Sequence, residues 1–188
     1  MNFLQKYNHP KNIRFESFKF ALIEAQKREL KTLVETGCAR GKTKFIFFSK
    51  INWKDGMSTM IFSDYAKYIG GMLTTCDIEK KNIRNAERFV KDNKKYVNFI
   101  VDDSLNFLST FEQKIDFLYL DSLDGQFKEA SDHQLKEIKI AKNKLSEKSL
   151  VLLDDKGSKT NLSIDYMLSC DFKILNETKE QVLLSFSS

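Results

Sequence analysis

Hydrophobic positions along the 188-residue chain follow two alternating patterns. Segments with apolar residues three or four positions apart, separated by charged residues, predict helices at 15–30, 57–68, 79–93, 104–111, 126–145 and 161–168. Short, mostly apolar runs between them predict strands at 31–36, 72–77, 96–101, 115–120, 149–153, 172–175 and 182–186. Asp55 is expected to cap the second helix, and Gly70 and Gly71 to end it.

This alternation of strands and helices predicts an α/β fold with right-handed crossovers and a mostly parallel sheet. The uniformly apolar strands agree, because both faces of such a sheet are covered. The last two strands are joined by the turn at 176–179, which is too short for a crossover. They should therefore pair antiparallel, giving a Rossmann-like, seven-stranded sheet with a C-terminal antiparallel hairpin.

Length and composition indicate one globular domain over 1–188, with 41% hydrophobic and 30% charged residues. Residues 1–30 would form an N-terminal helical cap, and 42–55 an insertion after the first strand. No apolar run is long enough to cross a bilayer, and the first residues carry no apolar signal segment, so we expect a cytoplasmic protein without a membrane partner. Three dispersed cysteines predict neither a zinc site nor disulfides.

Acidic residues follow each of the first five predicted strands, at the edge where open α/β sheets bind ligands. Glu35 precedes a glycine-containing turn and suits a cationic ligand better than a pyrophosphate. Asp77 could accept two hydrogen bonds from a ribose diol, and Asp103 with Ser104 could meet an adenine. For Asp77 and Asp103, capping of the following helix is the structural alternative.

In order and spacing these motifs resemble those of class I S-adenosylmethionine-dependent methyltransferases. The resemblance covers about 31–187 and lies in Glu35-x-Gly37-x-x-x-Gly41, Asp77, Asp103-Ser104 and the IDFLYLD run ending at Asp121. Within that class the chain is most similar to the catechol and caffeoyl-CoA O-methyltransferase-like branch. The chain order of five alternating strands followed by a hairpin is also that of the methyltransferase variant of the Rossmann-like fold.

The resemblance implies S-adenosylmethionine as cofactor and methyl transfer as the reaction. Asp77 would hold the ribose, and Asp121 would lie near the methyl group, where a base takes the acceptor proton. Ser58, at a helix start beside Gly56, would bind the methionine carboxylate. The implied cofactor residues are Glu35, Gly37, Gly41, Gly56, Ser58, Asp77, Asp103, Ser104 and Asp121.

Metal-dependent members of the branch bind a divalent ion with acids after the fourth and fifth strands and a neutral ligand beside them. Here Lys156 stands at the position of the neutral ligand, and a protonated lysine cannot bind a metal. We therefore expect no strong metal dependence; a bound ion would use Asp121 and Asp155. Lys156 is expected to form a structural ion pair, and His133 to lie on the surface of its helix.

Two other classes of function remain open. Gly37-x-x-x-Gly41-Lys42-Thr43 is one residue shorter than a Walker A loop, so a P-loop-like nucleotide-binding enzyme is one alternative. A non-catalytic protein that binds the cofactor or a partner at a degenerate site is the other. The lysine-bearing loop that members of the branch have after the fourth strand is missing here, which is why this second alternative stays open.

The insertion at 42–55 interleaves aromatic residues with lysines: Phe45, Phe47, Phe48 and Trp53 with Lys42, Lys44, Lys50 and Lys54. Such a segment could form a lid over an aromatic or anionic substrate, stack on single-stranded nucleic acid, or simply pack on the sheet edge. We expect a small-molecule acceptor, methylated on oxygen. The net charge of +5 permits a nucleic-acid partner, which is not favoured.

Overall fold

The computed structural model describes residues 1–45 and 48–187, with the backbone alone at 42–45, 48–50 and 55. The strands are β1 (Thr32–Thr36), β2 (Lys42–Phe45), β3 (Phe48–Ile51), β4 (Met72–Asp77), β5 (Val97–Val101), β6 (Ile115–Leu120), β7 (Leu145–Leu153), β8 (Phe172–Glu177) and β9 (Val182–Phe186). The helices are α1 (Phe15–Lys27), α2 (Ser58–Ile69), α3 (Lys80–Val90), α4 (Ser104–Thr110), α5 (Ala130–Ala141) and α6 (Asn161–Leu168). Short 3₁₀ turns lie at Asn2–Tyr7, Trp53–Asp55, Lys91–Tyr96 and Lys142–Lys144.

Seven strands form the central sheet in the order β5-β4-β1-β6-β7-β9-β8. Strand β9 runs antiparallel to β7 and β8, and the pairs from β5 to β7 are parallel. This confirms the predicted fold class and its C-terminal hairpin. The chain adds strands to one side of β1 and then crosses to the other side at β6. Open α/β sheets bind ligands at this reversal, beyond the carboxyl ends of the strands.

Helices cover both faces of the sheet, which explains why its central strands are apolar throughout. On one face Phe18 of α1 and Phe62 of α2 meet Tyr119 of β6, with ring centroids 5.3–5.6 Å apart. On the other face Ile138 of α5 and Met167 of α6 lie in a second buried cluster. Over the described parts of the chain, no helix combines the length and hydropathy needed to cross a membrane.

Helix ends differ from the predictions where a short turn replaces the last part of a helix. The helix predicted at 79–93 ends at Val90 and continues as a 3₁₀ turn. The one predicted at 126–145 is shorter, because β7 begins at Leu145 rather than at 149. Helix α2 begins at Ser58 after Met57 in a left-handed conformation, so the expected cap at Asp55 is wrong.

Helix α1 of the N-terminal segment packs on one face of the sheet, and Arg14 just before it reaches the acids that follow β7. Phe18, Leu22 and Ala25 of α1 are buried in the core that includes Tyr119 and Leu152. The segment predicted as an insertion forms a separate antiparallel hairpin, β2–β3, which the sequence patterns did not predict.

Part of the predicted aromatic cluster of this insertion can be located. Trp53 stacks on His9, with ring centroids 4.7 Å apart and planes at 6°. Phe47 lies outside the described residues, as do the side chains of Phe45 and Phe48. Trp53 therefore packs against the N-terminal segment, as the packing alternative for the insertion expects.

Candidate functional site

A groove runs along the carboxyl ends of β1, β4, β5 and β6, at the place where the strand order reverses. Its two halves share Gly37, Asp77, Ile78, Ser122 and Leu123. The side chains therefore come from loops that follow separate strands, and the parallel sheet brings them to one edge.

Gly37 forms the tight turn between β1 and this groove. Its φ is +80°, and a Cβ atom placed there would lie 2.1 Å from the carbonyl oxygen of Asp121. Its backbone N–H donates to the carbonyl oxygen of Cys76 at 2.8 Å. Only glycine allows the loops after β1 and β6 to approach this closely, so the expected role of Gly37 in the ligand loop is consistent with its place.

Asp77, at the end of β4, lies at the centre of the groove. One carboxylate oxygen accepts a hydrogen bond from the backbone N–H of Glu79 at 2.8 Å, and the other from that of Cys38 at 3.3 Å. The amide of Asn82 donates to both oxygens at 3.2 Å. These donors fix the orientation of the carboxylate and join the loops after β1 and β4. The hydrogen bond from the backbone N–H of Glu79 lies at the start of α3. It is the kind of capping contact that was the structural alternative for Asp77.

Asp103 and Ser104 line the second half of the groove. One oxygen of Asp103 caps α4, accepting from the backbone N–H groups of Leu105 and Asn106 at 3.0 and 3.2 Å. The capping alternative therefore holds for that oxygen. The hydroxyl of Ser104 lies 2.9 Å from Nε2 of His133.

His133 is half-buried and lines the groove, so its expected position on the protein surface is wrong. Its Nε2 lies 3.8 Å from the buried carboxylate of Glu137, one helical turn later on α5. Burial raises the pKa of Glu137, and the nearby imidazole opposes that rise. The four-residue spacing of these two residues was the available signal, because it puts both on one helix face.

Glu35 lies behind the groove, with no exposed surface. Its carboxylate accepts hydrogen bonds from the hydroxyls of Ser58 at 2.5 Å, Thr75 at 2.6 Å and Thr59 at 2.7 Å. Burial raises the pKa of Glu35 to about 7, although the three hydroxyls favour its charged form. Glu35 and Ser58 thus join β1 to the start of α2, and the Ser58 hydroxyl is directed to Glu35 rather than to the groove.

The two other predicted glycines pack against neighbouring side chains away from the groove. A Cβ atom on Gly41 would lie 1.9 Å from the ring of Phe89, and one on Gly56 would lie 3.0 Å from Arg14. Gly41 leads into β2, whereas the glycine loop of a nucleotide-binding P-loop leads into a helix. The alternative of a P-loop-like nucleotide-binding enzyme is therefore wrong, because the glycine turn is followed by a strand.

Asp121, which lines the groove, belongs to an acidic cluster with Asp154 and Asp155. One carboxylate oxygen from each lies within 4.8 Å of the others. Two cations enter this cluster. Arg14 contacts Asp154 at 2.7 Å and Asp155 at 2.9 Å, and Lys159 contacts Asp121 at 3.2 Å and Asp155 at 3.3 Å.

These contacts move the pKa values of the cluster in opposite directions. Burial and the neighbouring Asp154 raise the pKa of Asp121 well above its usual range. Burial acts to lower the pKa of Lys159, but Asp121 and Asp155 outweigh it and raise that pKa. The pKa of Asp155 is lowered by Lys159 and Arg14 against the effect of burial.

Sequence reasoning missed both cations of the acidic cluster. Lys156 forms an ion pair, as predicted, but its partner is Glu177 on β8 rather than the acids beside it. Lys159 is one helical turn beyond Asp155, a spacing that offers a weak signal. Arg14 lies 140 residues from Asp154 and offers none.

Comparison with known proteins identifies the family. A family model described as a methyltransferase domain matches residues 53–156. The SAH-bound methyltransferase PaMTH1 from Podospora anserina superimposes with a TM-score of 0.66 at 14% identity, covering 100% of this chain and 86% of that one. The O-methyltransferase from Bacillus cereus in complex with SAH gives 0.63 at 12%, covering 92% and 81%.

An rRNA methylase from Streptococcus thermophilus is similar to the same degree, with a TM-score of 0.65 at 13% identity, covering 96% of this chain and 99% of that one. No curated protein matches the chain by sequence. These likenesses agree with the sheet order and the place of the groove, and the family model spans more than half of the 188 residues. The chain therefore belongs to the methyltransferase domain family.

Proposed function

We propose that the groove binds S-adenosylmethionine and that the protein transfers the methyl group to an oxygen atom of a small molecule. The methyl donor is the one implied by the SAH complexes of the similar methyltransferases. The observation that carries the proposal is the groove itself. At the strand reversal of a methyltransferase domain, it brings together Gly37, Asp77 and Asp121, from three separate strand ends.

The groove offers a different chemistry to each part of this cofactor. The backbone after Gly37 would lie along the methionine. The carboxylate of Asp77 would accept hydrogen bonds from the ribose hydroxyls, exchanging part of its bonding to Asn82. Ser104 and His133 would face the adenine, where a hydroxyl and an imidazole supply one donor and one acceptor.

Asp121 is the proposed base for methyl transfer. Bound S-adenosylmethionine supplies an electrophilic methyl group on a sulfonium. Asp121 would accept the hydroxyl proton of the acceptor as its oxygen bonds to the methyl carbon and the carbon–sulfur bond breaks. Asp121 suits this role by its position, because its carboxylate lines the groove and keeps a quarter of its side-chain surface exposed.

A polar recess next to Asp155 is the proposed acceptor site. It is lined by Arg40, Asp124, Gly125 and Lys156, among others. Arg40 pairs with Asp124 through two contacts of 3.2 Å at its rim. Both charges could orient a compact polar molecule, and orientation toward the methyl group is the main contribution expected of such an enzyme.

Calorimetry with S-adenosylhomocysteine tests cofactor binding, and transfer of labelled methyl groups tests catalysis. We expect binding, followed by labelling of members of a panel of catechols and other hydroxyl compounds. Labelling of ribosomal RNA instead would overturn the small-molecule acceptor but not the cofactor site. Absence of cofactor binding by the folded protein would overturn the whole proposal, whereas binding without transfer to either class would favour the non-catalytic alternative.

A further inference from the structure

One of the two cations in the acidic cluster, Lys159, is almost completely buried. Lys159 is 2% exposed, whereas the side chains of Asp121 and Asp155 are 25% and 30% exposed. In a common surface pair the lysine head lies in water. Here the ammonium of Lys159 is buried instead. The carboxylates are partly exposed, Asp121 to the groove and Asp155 to the neighbouring recess.

The divalent ion implied by the O-methyltransferase branch does not fit this arrangement. Mg²⁺ needs carboxylate oxygens at about 2.0–2.1 Å in near-octahedral geometry. Nζ of Lys159 already lies within hydrogen-bonding distance of one oxygen from Asp121 and one from Asp155. An ion shared by those oxygens would lie against a buried ammonium, where repulsion between the two positive charges is poorly screened.

Arg14 is the second cation that pairs with the acidic cluster. Its guanidinium donates hydrogen bonds to the carboxylates of both Asp154 and Asp155. Its Nη1 also donates to the carbonyl oxygen of Lys54 at 3.0 Å. Three carboxylates thus meet two fixed cations when all are charged. The cluster then carries one negative charge in excess, and Asp121 is the carboxylate of the three that lines the groove.

We propose that Lys159 takes the place of the divalent metal ion in this protein and holds Asp121 and Asp155 in position for the acceptor. The proposal rests on the function proposed above for the same site. Lys159 acts as a positioning residue: it touches the two carboxylates, and the carboxylates face the acceptor. The protein then needs no metal to orient the acceptor end of its site.

Binding of Mn²⁺ to the protein after EDTA treatment, followed by electron paramagnetic resonance, tests this directly. The wild-type protein and Lys159→Arg should bind no Mn²⁺ at the cluster. Lys159→Met, which keeps the length of the side chain but removes its charge, should gain measurable Mn²⁺ binding at the cluster. Adding Asp155→Asn to that variant should remove the gain, because the ion would then lose one of the two carboxylates that Lys159 holds.

Lys136→Met is the matched control, because Lys136 is an exposed lysine on α5 that has no part in the proposed site. If Lys159→Met does not fold, as judged by circular dichroism, Lys159→Gln keeps a hydrogen-bond donor and serves the same test. Mn²⁺ binding to the wild-type protein that is lost in Asp121→Asn would overturn the proposal. So would folded Met and Gln variants that gain no binding.

These measurements use neither cofactor nor acceptor, so their failure would leave the proposed methyl transfer standing. Once an acceptor is known, methyl transfer by the wild-type protein should be unchanged by EDTA. Lys159→Arg should retain more kcat than Lys159→Met at similar affinity for S-adenosylhomocysteine. Loss of wild-type activity in EDTA, restored by Mg²⁺, would overturn the inference.

Discussion

The carboxylates of Asp77 and Glu35 differ in exposure to solvent, although both residues lie at the carboxyl ends of neighbouring strands. Asp77 is half-exposed and anchored by backbone N–H groups and an amide, so it stays at the surface where a ligand can reach it. Glu35 has no exposed surface and is bonded to three hydroxyls. Two acids that look equivalent at strand ends are therefore placed differently, one lining the groove and one buried inside the fold.

Asp77→Ala should weaken binding of S-adenosylhomocysteine, because the ribose hydroxyls would lose their acceptor in a partly buried place. The expected cost is about 1–3 kcal/mol, measured by isothermal titration calorimetry. Asp165→Ala, on the exposed face of α6, is the control and should bind like the wild-type protein. An unchanged affinity in folded Asp77→Ala would remove Asp77 from the ribose site.

Glu35 should make stability depend on pH in a defined direction. Its pKa is about 7 in the folded chain and about 4.5 when unfolded, so the folded state binds the proton more tightly. Stability contributed by the protonated group is complete below about pH 4.5 and is lost as the pH rises through about 7. The loss amounts to about 3 kcal/mol at most.

Urea denaturation of the wild-type protein and Glu35→Gln across this pH range measures the effect. The variant should gain stability relative to the wild-type protein as the pH rises, because glutamine does not titrate. Glu112→Gln, at an exposed position after α4, should show no such trend. A constant difference between wild type and Glu35→Gln would contradict the raised pKa.

The hairpin β2–β3 is an element built beside the central sheet rather than into it. Its strands pair with each other, and its base is closed by a hydrogen bond of 3.1 Å from the backbone N–H of Asn52 to the carbonyl oxygen of Gly41. It leaves the fold at the carboxyl end of β1, the edge that carries the groove. Loops in this place commonly set specificity on a rigid scaffold.

Replacing residues 42–51 by a two-glycine linker should leave the affinity for S-adenosylhomocysteine within a few-fold. It should reduce acceptor binding or turnover, because the hairpin would face the substrate rather than the cofactor. The replacement keeps Trp53 on His9 and the carbonyl of Lys54 on Arg14, so the N-terminal packing is preserved. Loss of cofactor binding by a folded replacement would show that the hairpin belongs to the cofactor site.

Elements with a strong local pattern were predictable, and contacts between distant residues were not. Strands β4 and β6 and helix α6 have the predicted bounds, because each is a clear apolar or amphipathic run. The hairpin was not predicted, because its alternation of lysine with Thr43 and Phe45 is too short to distinguish from a loop. Lys159 and Arg14 reach the acidic cluster through tertiary packing, which local patterns do not carry.

The charge of the whole molecule and that of its ligand edge have opposite signs. The chain carries a net charge of +5, yet acids crowd the carboxyl edge of the sheet, among them Asp77, Asp103 and Asp121. A negative edge attracts a cationic sulfonium and repels a polyanion close to the site. This distribution supports a small acceptor over a nucleic acid.

Cofactor binding should be visible in the stability of the whole molecule. At about 100 times its dissociation constant, S-adenosylhomocysteine should add about 2.7 kcal/mol to the free energy of unfolding. For a domain of this size that corresponds to a rise in Tm of roughly 5–10 °C, measured by differential scanning fluorimetry. ATP at the same concentration is the control; a shift with ATP and none with S-adenosylhomocysteine would contradict the proposed ligand.

The contact between Arg14 and Asp154 spans 140 residues and has a consequence for the order of events on the ribosome. Arg14 is made 140 residues before Asp154, so it leaves the exit tunnel long before its carboxylate partners exist. Lys159 follows a few residues later. The acidic cluster therefore cannot assemble before Lys159 is made, and a nascent chain stalled before residue 154 should expose the N-terminal segment to proteases more than the folded protein does.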